Sequence, residues 1–228
     1  MLESPIRPEM AATLVAERRR LPLSAHRFAL AGIIGPPFFV AVFIVVGFIK
    51  PGYNPVARTV SEGSIGELGW IQIANFLVFG GALLIFALGL WQGFGDRWSG
   101  HVGSALIALA GVGVLGAGAF VADPGFRATT FHGKLHVLVS LVTFLSLLIA
   151  GFVFAKRFWP DRLFAFYSIL SGLAIPAGFI AMAALGKAGG GPGWSGLSQR
   201  VMIVAVWTWL TILALRLRRM PAVGQTAT

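Results

Sequence analysis

The side chains that could do acid–base or binding chemistry are concentrated in three short polar segments, residues 51–70, 123–136 and 186–200. Each segment lies between two long apolar runs. The candidate residues, in chain order, are Ser61, Glu62, Glu67, Asp123, His132, His136, Gln199 and Arg200. If the three segments open at the same end of a helical bundle, these groups can meet and form one site.

The first interpretation of these residues is acid–base catalysis. Glu62 or Asp123 would supply the carboxyl group, and His136 would act as the base. Arg200 would hold a phosphate or carboxylate of the substrate. The ligand-binding candidates beside it are Ser61, Glu67 and Gln199. A nucleophilic arrangement of Ser61, His136 and Asp123 is an alternative on residue types.

His132 and His136 support a second interpretation, a metal site. They are four residues apart, so they share one face if they lie on a helix. Imidazole and carboxylate groups suit Zn²⁺, so a divalent metal such as zinc is the cofactor that this pattern allows. A third interpretation is structural, with Thr130 capping a helix and Asp123 holding the end of the preceding one.

The elements that must position these residues are apolar helices. The 228-residue chain is 57% hydrophobic and only 11% charged, whereas soluble domains carry about 25% charged residues. Its apolar runs are long enough to cross a hydrocarbon core of about 30 Å. The predicted spans are residues 28–49, 69–94, 102–122, 131–155, 163–185 and 201–217. We therefore predict an all-α polytopic membrane protein, a bundle of six transmembrane helices.

The distribution of positive charge predicts the orientation of the bundle. Of the 18 Lys and Arg residues, twelve lie on the side of the termini and six on the side of the polar segments. By the positive-inside rule both termini are cytoplasmic. The expected organisation is a basic cytoplasmic tail (1–27), a six-helix domain (28–218) and a short cytoplasmic tail (219–228). The basic tail is not expected to be a secretory signal.

Composition also bounds the partners. The net charge of +10 does not indicate nucleic-acid binding, because the positive residues flank apolar spans, where they set topology. The absence of cysteine excludes disulfides and thiolate metal sites. Membrane lipids are the expected partners, and we assume a multi-pass protein of a bacterial plasma membrane.

Two features of the helices carry further expectations. The third helix is rich in glycine, alanine and serine, which let helices approach closely in lipid, and this predicts that it lies at the centre of the bundle. Prolines in the first and fifth helices, Pro36, Pro37 and Pro176, are expected to kink them. A broken helix of this kind is typical of some transporter sites.

The polar segments also carry a family resemblance. The motifs GYNPVARTVSE with a following GW, then DP and T-x-x-G-x-x-H, then GLSQR resemble the bacterial and archaeal membrane proteins grouped as domain-of-unknown-function family 998. The matching residues are Gly52, Tyr53, Pro55, Ser61, Glu62, Gly69, Trp70, Asp123, Pro124, Thr130, Gly133, His136, Gly196, Leu197, Gln199 and Arg200. The resemblance implies about six spans and no established activity. It leaves open whether Glu62 or Glu67 is the key acid, and we prefer Glu62.

Three hypotheses for function follow. The polar segments form a site that binds or transforms a small or lipidic molecule, with or without catalysis. Alternatively, the chain is a transporter or sensor that uses the same groups, which kinked helices would favour. In the third hypothesis it is a structural membrane subunit whose polar cluster contributes only to stability.

Overall fold

The computed structural model describes residues 21–126, 128–186 and 193–221. Within these residues it contains six long helices, each long and apolar enough to cross a membrane, and this confirms the predicted six-helix all-α fold. The helices are α1 (Leu23–Ile49), α2 (Gly69–Phe94), α3 (Trp98–Ala119), α4 (Phe131–Arg157), α5 (Arg162–Leu185) and α6 (Ser195–Arg218). The chain is thus a multi-pass membrane protein. The predicted tails before residue 21 and after residue 221 lie outside the described residues.

The helix boundaries differ from the sequence-based expectation where polar residues begin a helix. α1 begins at Leu23 rather than at residue 28, and α6 begins at Ser195 rather than at residue 201. Hydropathy places the start of these two helices too late in the chain, because the first turn of a membrane helix can contain polar residues. α3 ends at Ala119, since Phe120 has extended backbone angles.

The six helices form a closed ring in chain order. Each helix packs against its neighbours in sequence, and α6 also packs against α1 and, to a lesser extent, against α2. The first and last described residues meet where the backbone N–H of Leu21 donates to the carbonyl of Pro221 at 2.8 Å. Arg218 donates to the carbonyl of His26 at 2.9 Å, which fastens α6 to α1.

The middle of the bundle is filled by aromatic rings from α1, α2 and α6. Phe39 lies 4.9 Å from Phe79 between ring centroids, and Phe79 lies 5.1 Å from Trp207. All three side chains are buried. Many large apolar side chains of the same helices are instead exposed, as expected for surfaces that face lipid.

Helix α3 does not occupy the centre of the ring. Its main partners are α2 and α4, the two neighbours that its place in the ring gives it. The glycines of α3 serve two close helix contacts. A Cβ on Gly111 would lie 3.0 Å from the carbonyl oxygen of Gly80, and one on Gly113 would lie 2.7 Å from that of Val139. The small residues were therefore correctly assigned to close packing but wrongly to a central position.

The helices with internal prolines are continuous. α1 runs through Pro36 and Pro37, and α5 runs through Pro176, without an interruption of the helix. A half-helix terminus of the kind that binds ions in some transporters is therefore not formed at these prolines.

The described loops form two ends of the bundle. The polar end comprises residues 50–68, 120–126, 128–130 and 193–194, together with the first turns of α4 and α6. At the opposite end Arg157 pairs with Asp96 and Arg216 pairs with Asp161, both at 2.7 Å. All the candidate residues lie at the polar end.

Candidate functional site

The segment after α1 folds as a chain of tight turns that carry Glu62 into the protein. The side-chain oxygen of Asn54 accepts the backbone N–H of Val56 at 2.9 Å, and the Tyr53 hydroxyl donates to the carbonyl of Thr59 at 2.5 Å. A short 3₁₀ turn, Ser61–Ser64, follows. Because this turn is packed against the bundle, the Glu62 side chain is only 7% exposed.

Glu62 is held by three donors. One carboxylate oxygen accepts the backbone N–H and the hydroxyl of Thr59, at 2.8 and 3.0 Å, and the other accepts the backbone N–H of Gly125 at 3.1 Å. The residue therefore ties the first polar segment to the loop between α3 and α4. Its hydrogen bonds are those of a buried structural carboxylate.

Glu67 has a different environment from Glu62. Its side chain is exposed, and its backbone carbonyl accepts a hydrogen bond from the ammonium of Lys50, which also donates to the carbonyl of Ile65 at 2.7 Å. Burial lowers the pKa of Lys50, and the nearby Glu67 opposes that shift. The structure thus separates the two acids that the family resemblance left open: Glu62 is inside and Glu67 is on the surface.

Asp123 is saturated with hydrogen bonds from its own loop. It accepts the backbone N–H and hydroxyl of Thr130, at 2.8 and 2.7 Å, and those of Thr129, at 2.8 and 3.0 Å. These bonds, with Thr130 contributing most, lower the pKa of Asp123 to about 2. Thr130 in turn accepts the backbone N–H of Gly133 at 3.0 Å and caps α4, as the structural interpretation predicted.

Arg200 fastens α6 to the first polar segment. Its Nη1 donates to the carbonyls of Pro55, Arg58 and Gly196, at 2.5, 2.8 and 3.0 Å. Its Nη2 donates to the hydroxyl of Tyr53 at 2.7 Å. Because both Nη atoms are occupied by protein oxygens, the geometry does not support the interpretation of Arg200 as a clamp for a substrate anion.

His136 lies one turn inside α4 and is 5% exposed. Its Nδ1 is 2.6 Å from the carbonyl oxygen of Phe120, and its ring meets the ring of Phe76 edge-on at 6.2 Å. Its other nitrogen, Nε2, is buried and has no hydrogen-bond partner among the described residues. Most buried polar atoms in proteins have a hydrogen-bond partner, so Nε2 is a candidate binding group.

His136 lines a cavity of about 160 Å³ at the polar end, between α4, α5 and α6. The polar or charged side chains in its wall are Thr59, Ser61, Asp123, His136, Ser140 and Gln199. The apolar side chains in its wall are Ala122, Val137, Leu141, Phe144 and Phe179. Since one water needs only about 15 Å³, the cavity has room for a molecule larger than water.

The exposed side chains in the outer wall of the cavity indicate that it opens towards lipid. Val137, Leu141 and Phe179 line the cavity and are 45%, 53% and 38% exposed. α4 and α5 pack closely further along, where a Cβ on Gly151 would meet the carbonyl of Ser168 at 2.8 Å. The cavity therefore lies beside a lipid-facing part of the α4–α5 pair.

A smaller chamber of about 30 Å³ adjoins the cavity and extends towards the aromatic core. The two spaces share Ser61, Ser140, Phe144 and Gln199 as wall residues. Gln199 accepts the backbone N–H of Val60 through Oε1 at 2.7 Å. The chamber is large enough for about two water molecules.

The structure brings together only part of the predicted site. One cavity is lined by Ser61, Asp123, His136 and Gln199. Glu62 directly follows Ser61 in the chain. His132 is exposed and packs against the ring of Phe120. The described part of the chain contains no cluster of three or more His, Asp or Glu residues able to hold a metal. The geometry therefore gives the His132–His136 metal hypothesis no further ligand, and the pair stays a sequence-based prediction.

Sequence reasoning missed several residues of the cavity. Ser140 is the most accessible to prediction, because it lies four residues after His136 and so on the same helical face. Phe144 continues that face by another turn and forms an edge-on contact of 5.2 Å with Phe179 of α5. No signal in the sequence indicated that α5 contributes to the cavity wall, since Phe179 is one apolar residue among many.

One of three comparisons with known proteins finds a match. A family model described as "Protein of unknown function (DUF998)" matches residues 33–216, which is most of the chain. No curated protein and no solved structure matches it.

Proposed function

The chain belongs to the DUF998 family, and from its polar-end cavity we propose that it binds an apolar or amphipathic molecule taken from the lipid bilayer. The polar part of the ligand would lie against His136, Ser61 and Gln199. Its apolar part would extend along the exposed side chains of α4 and α5.

The observation that carries this proposal is the wall of the cavity. One side of the wall consists of apolar side chains that are partly exposed on the membrane-spanning surface: Val137, Leu141 and Phe179. The same cavity is lined by the buried imidazole of His136, whose Nε2 has no partner among the described residues. Ligand sites in proteins are mostly apolar with a few convergent polar groups. A polar atom at membrane depth is costly unless it is satisfied, so a ligand that supplies a partner for His136 is favoured.

The hydrogen bonds of the site favour binding over chemical transformation. The carboxylates of Glu62 and Asp123 are engaged by three and four donors, which argues against either one acting as an acid or base. The Nδ1 of His136 contacts the carbonyl of Phe120 rather than a carboxylate. The orientation that a Ser61–His136–Asp123 arrangement requires is therefore not supported.

The hypothesis that the polar residues contribute only to stability fits three of them. Glu62, Asp123 and Arg200 each link loops or helix ends through several hydrogen bonds. We assign them to the stability of the polar end. The transporter or sensor hypothesis gains no support from a broken helix, because the helices that contain prolines are continuous.

The proposed location is the plasma membrane, with the termini in the cytoplasm and the polar end on the opposite side. The excess of Lys and Arg on the side of the termini supports this orientation. A ligand would then enter the cavity laterally from the leaflet next to the polar end.

Photolabelling tests the binding proposal. The full chain is reconstituted in phosphatidylcholine vesicles with a set of hexadecyl probes that carry a diazirine on the chain and differ only in the head group. We expect at least one probe to label the α4 segment 137–144 more strongly than the lipid-facing residues Leu109 and Val112 of α3, which are 46% and 54% exposed. Equal labelling of both faces by every probe would contradict a specific site.

A variant whose cavity is filled by a larger side chain tests whether the labelling depends on the cavity, and the same substitution elsewhere is its control. Ser140→Trp places a large side chain in the wall shared by the cavity and the chamber, and we expect it to abolish the preferential labelling. Leu109→Trp adds the same ring on an exposed position of α3 and should leave the labelling of α4 unchanged.

A further inference from the structure

We infer, on the basis of the proposed function, that the ligand of the cavity carries a neutral hydroxyl head group, an alcohol on an apolar chain. Its hydroxyl would donate to Nε2 of His136 and accept from a neighbouring donor of the wall. The hydrogen-bonding capacity of the wall residues carries this inference.

The protonation of His136 follows from its partner. A carbonyl oxygen can only accept, so the 2.6 Å contact between Nδ1 and the carbonyl of Phe120 requires a proton on Nδ1. In the neutral ring with that tautomer, Nε2 is an acceptor. Nε2 is buried and without a partner among the described residues, so a ligand that brings a donor can satisfy it.

The other polar groups of the wall complement the oxygen of an alcohol. Gln199 uses its Oε1 to accept the backbone N–H of Val60, and the amide nitrogen of the same group is a donor only. Ser61 and Ser140 can donate as well as accept, and both line the cavity. A hydroxyl donates one hydrogen and accepts others, so one such group satisfies both kinds of partner.

The charges in the wall disfavour the other common lipid heads. Asp123 lines the cavity, and the hydrogen bonds from Thr130 and Thr129 keep its pKa at about 2, so a carboxylate or phosphate in the cavity would meet a like charge. An ammonium head can donate to Nε2 of His136 but cannot accept from the hydroxyl and amide donors of the wall. An ether can accept from the wall but cannot donate to His136.

The matched pair of an alcohol and its methyl ether tests the inference directly. With the diazirine probes in phosphatidylcholine vesicles, we expect the hexadecyl alcohol to label the α4 segment about tenfold more efficiently than the methyl ether at sub-saturating concentration, since one hydrogen bond to a buried acceptor is of that size. The carboxylate probe should label no better than the ether, because it cannot donate to His136 and meets the charge of Asp123. Labelling that is equal for alcohol and ether, or strongest for the carboxylate, would overturn the inference while the binding proposal stands.

A substitution of His136 links the head-group preference to its Nε2. His136→Asn keeps a donor near the position of Nδ1 and removes the acceptor, so the ratio of alcohol to ether labelling should fall to about one. His132→Asn changes the exposed histidine on the same helix and should leave the ratio unchanged. A ratio that persists in His136→Asn would overturn the assignment, and the wild-type comparison of the two probes remains decisive if that variant does not fold.

Competition identifies the source of the alcohol. Unlabelled 1,2-dioleoylglycerol that suppresses labelling by the hexadecyl alcohol supports a hydroxyl lipid of the bilayer. Suppression by glycerol alone supports a small water-borne alcohol with the same recognition chemistry. Suppression by 1,2-dioleoyl-3-O-methylglycerol as strong as by dioleoylglycerol counts against recognition of a hydroxyl.

Discussion

Arg200 donates a hydrogen bond from Nη2 to the hydroxyl of Tyr53 at 2.7 Å. The contact joins the first turns of α6 to the segment after α1, two parts of the chain that are 147 residues apart in sequence. Burial raises the pKa of Tyr53, and the guanidinium of Arg200 opposes this. The pair therefore fastens the polar end, and neither residue lines the cavity proposed as the ligand site; we call the pair the clasp.

The clasp predicts that lysine cannot replace Arg200. A guanidinium reaches several carbonyls and the Tyr53 hydroxyl at once, whereas an ammonium is a compact point charge. We expect Arg200→Lys to lower the free energy of unfolding by about 2 kcal/mol, measured by denaturant unfolding in a mild detergent. Tyr53→Phe should cost less, and its effect should be smaller still in the Arg200→Lys background. Additive effects of the two substitutions would contradict the clasp.

The two glutamates of the first polar segment should differ in their contribution to stability. Glu62→Gln places an amide nitrogen opposite donors from Thr59 and Gly125, and we expect it to reduce the free energy of unfolding by about 2 kcal/mol. Glu67→Gln changes an exposed side chain and should be close to neutral. The same unfolding experiment compares them, and equal losses would argue against the structural role of Glu62.

The stability of the α3–α4 loop should depend on pH in the acid range. The folded pKa of Asp123, about 2, is below its ordinary value of 3.8, so its stabilising effect is present above pH 4 and is lost as the pH falls towards 2. The thermal unfolding midpoint should therefore drop over this window in the wild type and drop less in Asp123→Asn. Asp161 at the opposite end also has a lowered pKa, so Asp161→Asn should reduce the drop as well, and the double variant should reduce it further. An identical pH profile for wild type and Asp123→Asn would refute this prediction.

Two adjacent glycines of α2 provide a test of the helix packing. A Cβ on Gly80 would lie 2.7 Å from a side-chain carbon of Leu115 and 2.9 Å from the carbonyl of Gly111, whereas nothing lies within 4 Å of a Cβ on Gly81. We expect Gly80→Ala to destabilise the protein by about 1 to 3 kcal/mol. Gly81→Ala should be neutral or stabilising by up to about 1 kcal/mol. Thermal unfolding of the two variants under identical conditions provides the comparison.

The predicted orientation can be measured by cysteine accessibility, since the chain has no cysteine of its own. Glu67→Cys at the polar end should react with a membrane-impermeant maleimide in intact cells. Asp96→Cys at the opposite end should react only after the membrane is permeabilised. The reverse pattern would show that the excess of Lys and Arg does not set the topology of this protein.

The sequence by itself determined the fold class and the end of the bundle at which the polar groups collect. Runs of apolar residues of sufficient length define membrane helices, because every backbone polar group in lipid must be bonded within its own helix. That is local information, so the six spans and the positions of Glu62, Asp123 and His136 at one end follow from residue order alone. The i, i+4 spacing likewise predicted that His132 and His136 share one face of a helix.

Only the tertiary structure decided what each of these residues contacts. Glu62 and Glu67 are five positions apart in one polar segment, yet one is buried by the turn at Ser61–Ser64 and the other is exposed. Arg200 meets backbone carbonyls instead of a carboxylate, and α5 contributes Phe179 to the cavity wall. These outcomes depend on how the helix ends pack against one another. A carbonyl can be the partner as readily as a charged side chain, and every residue has one, so residue type alone does not identify such contacts.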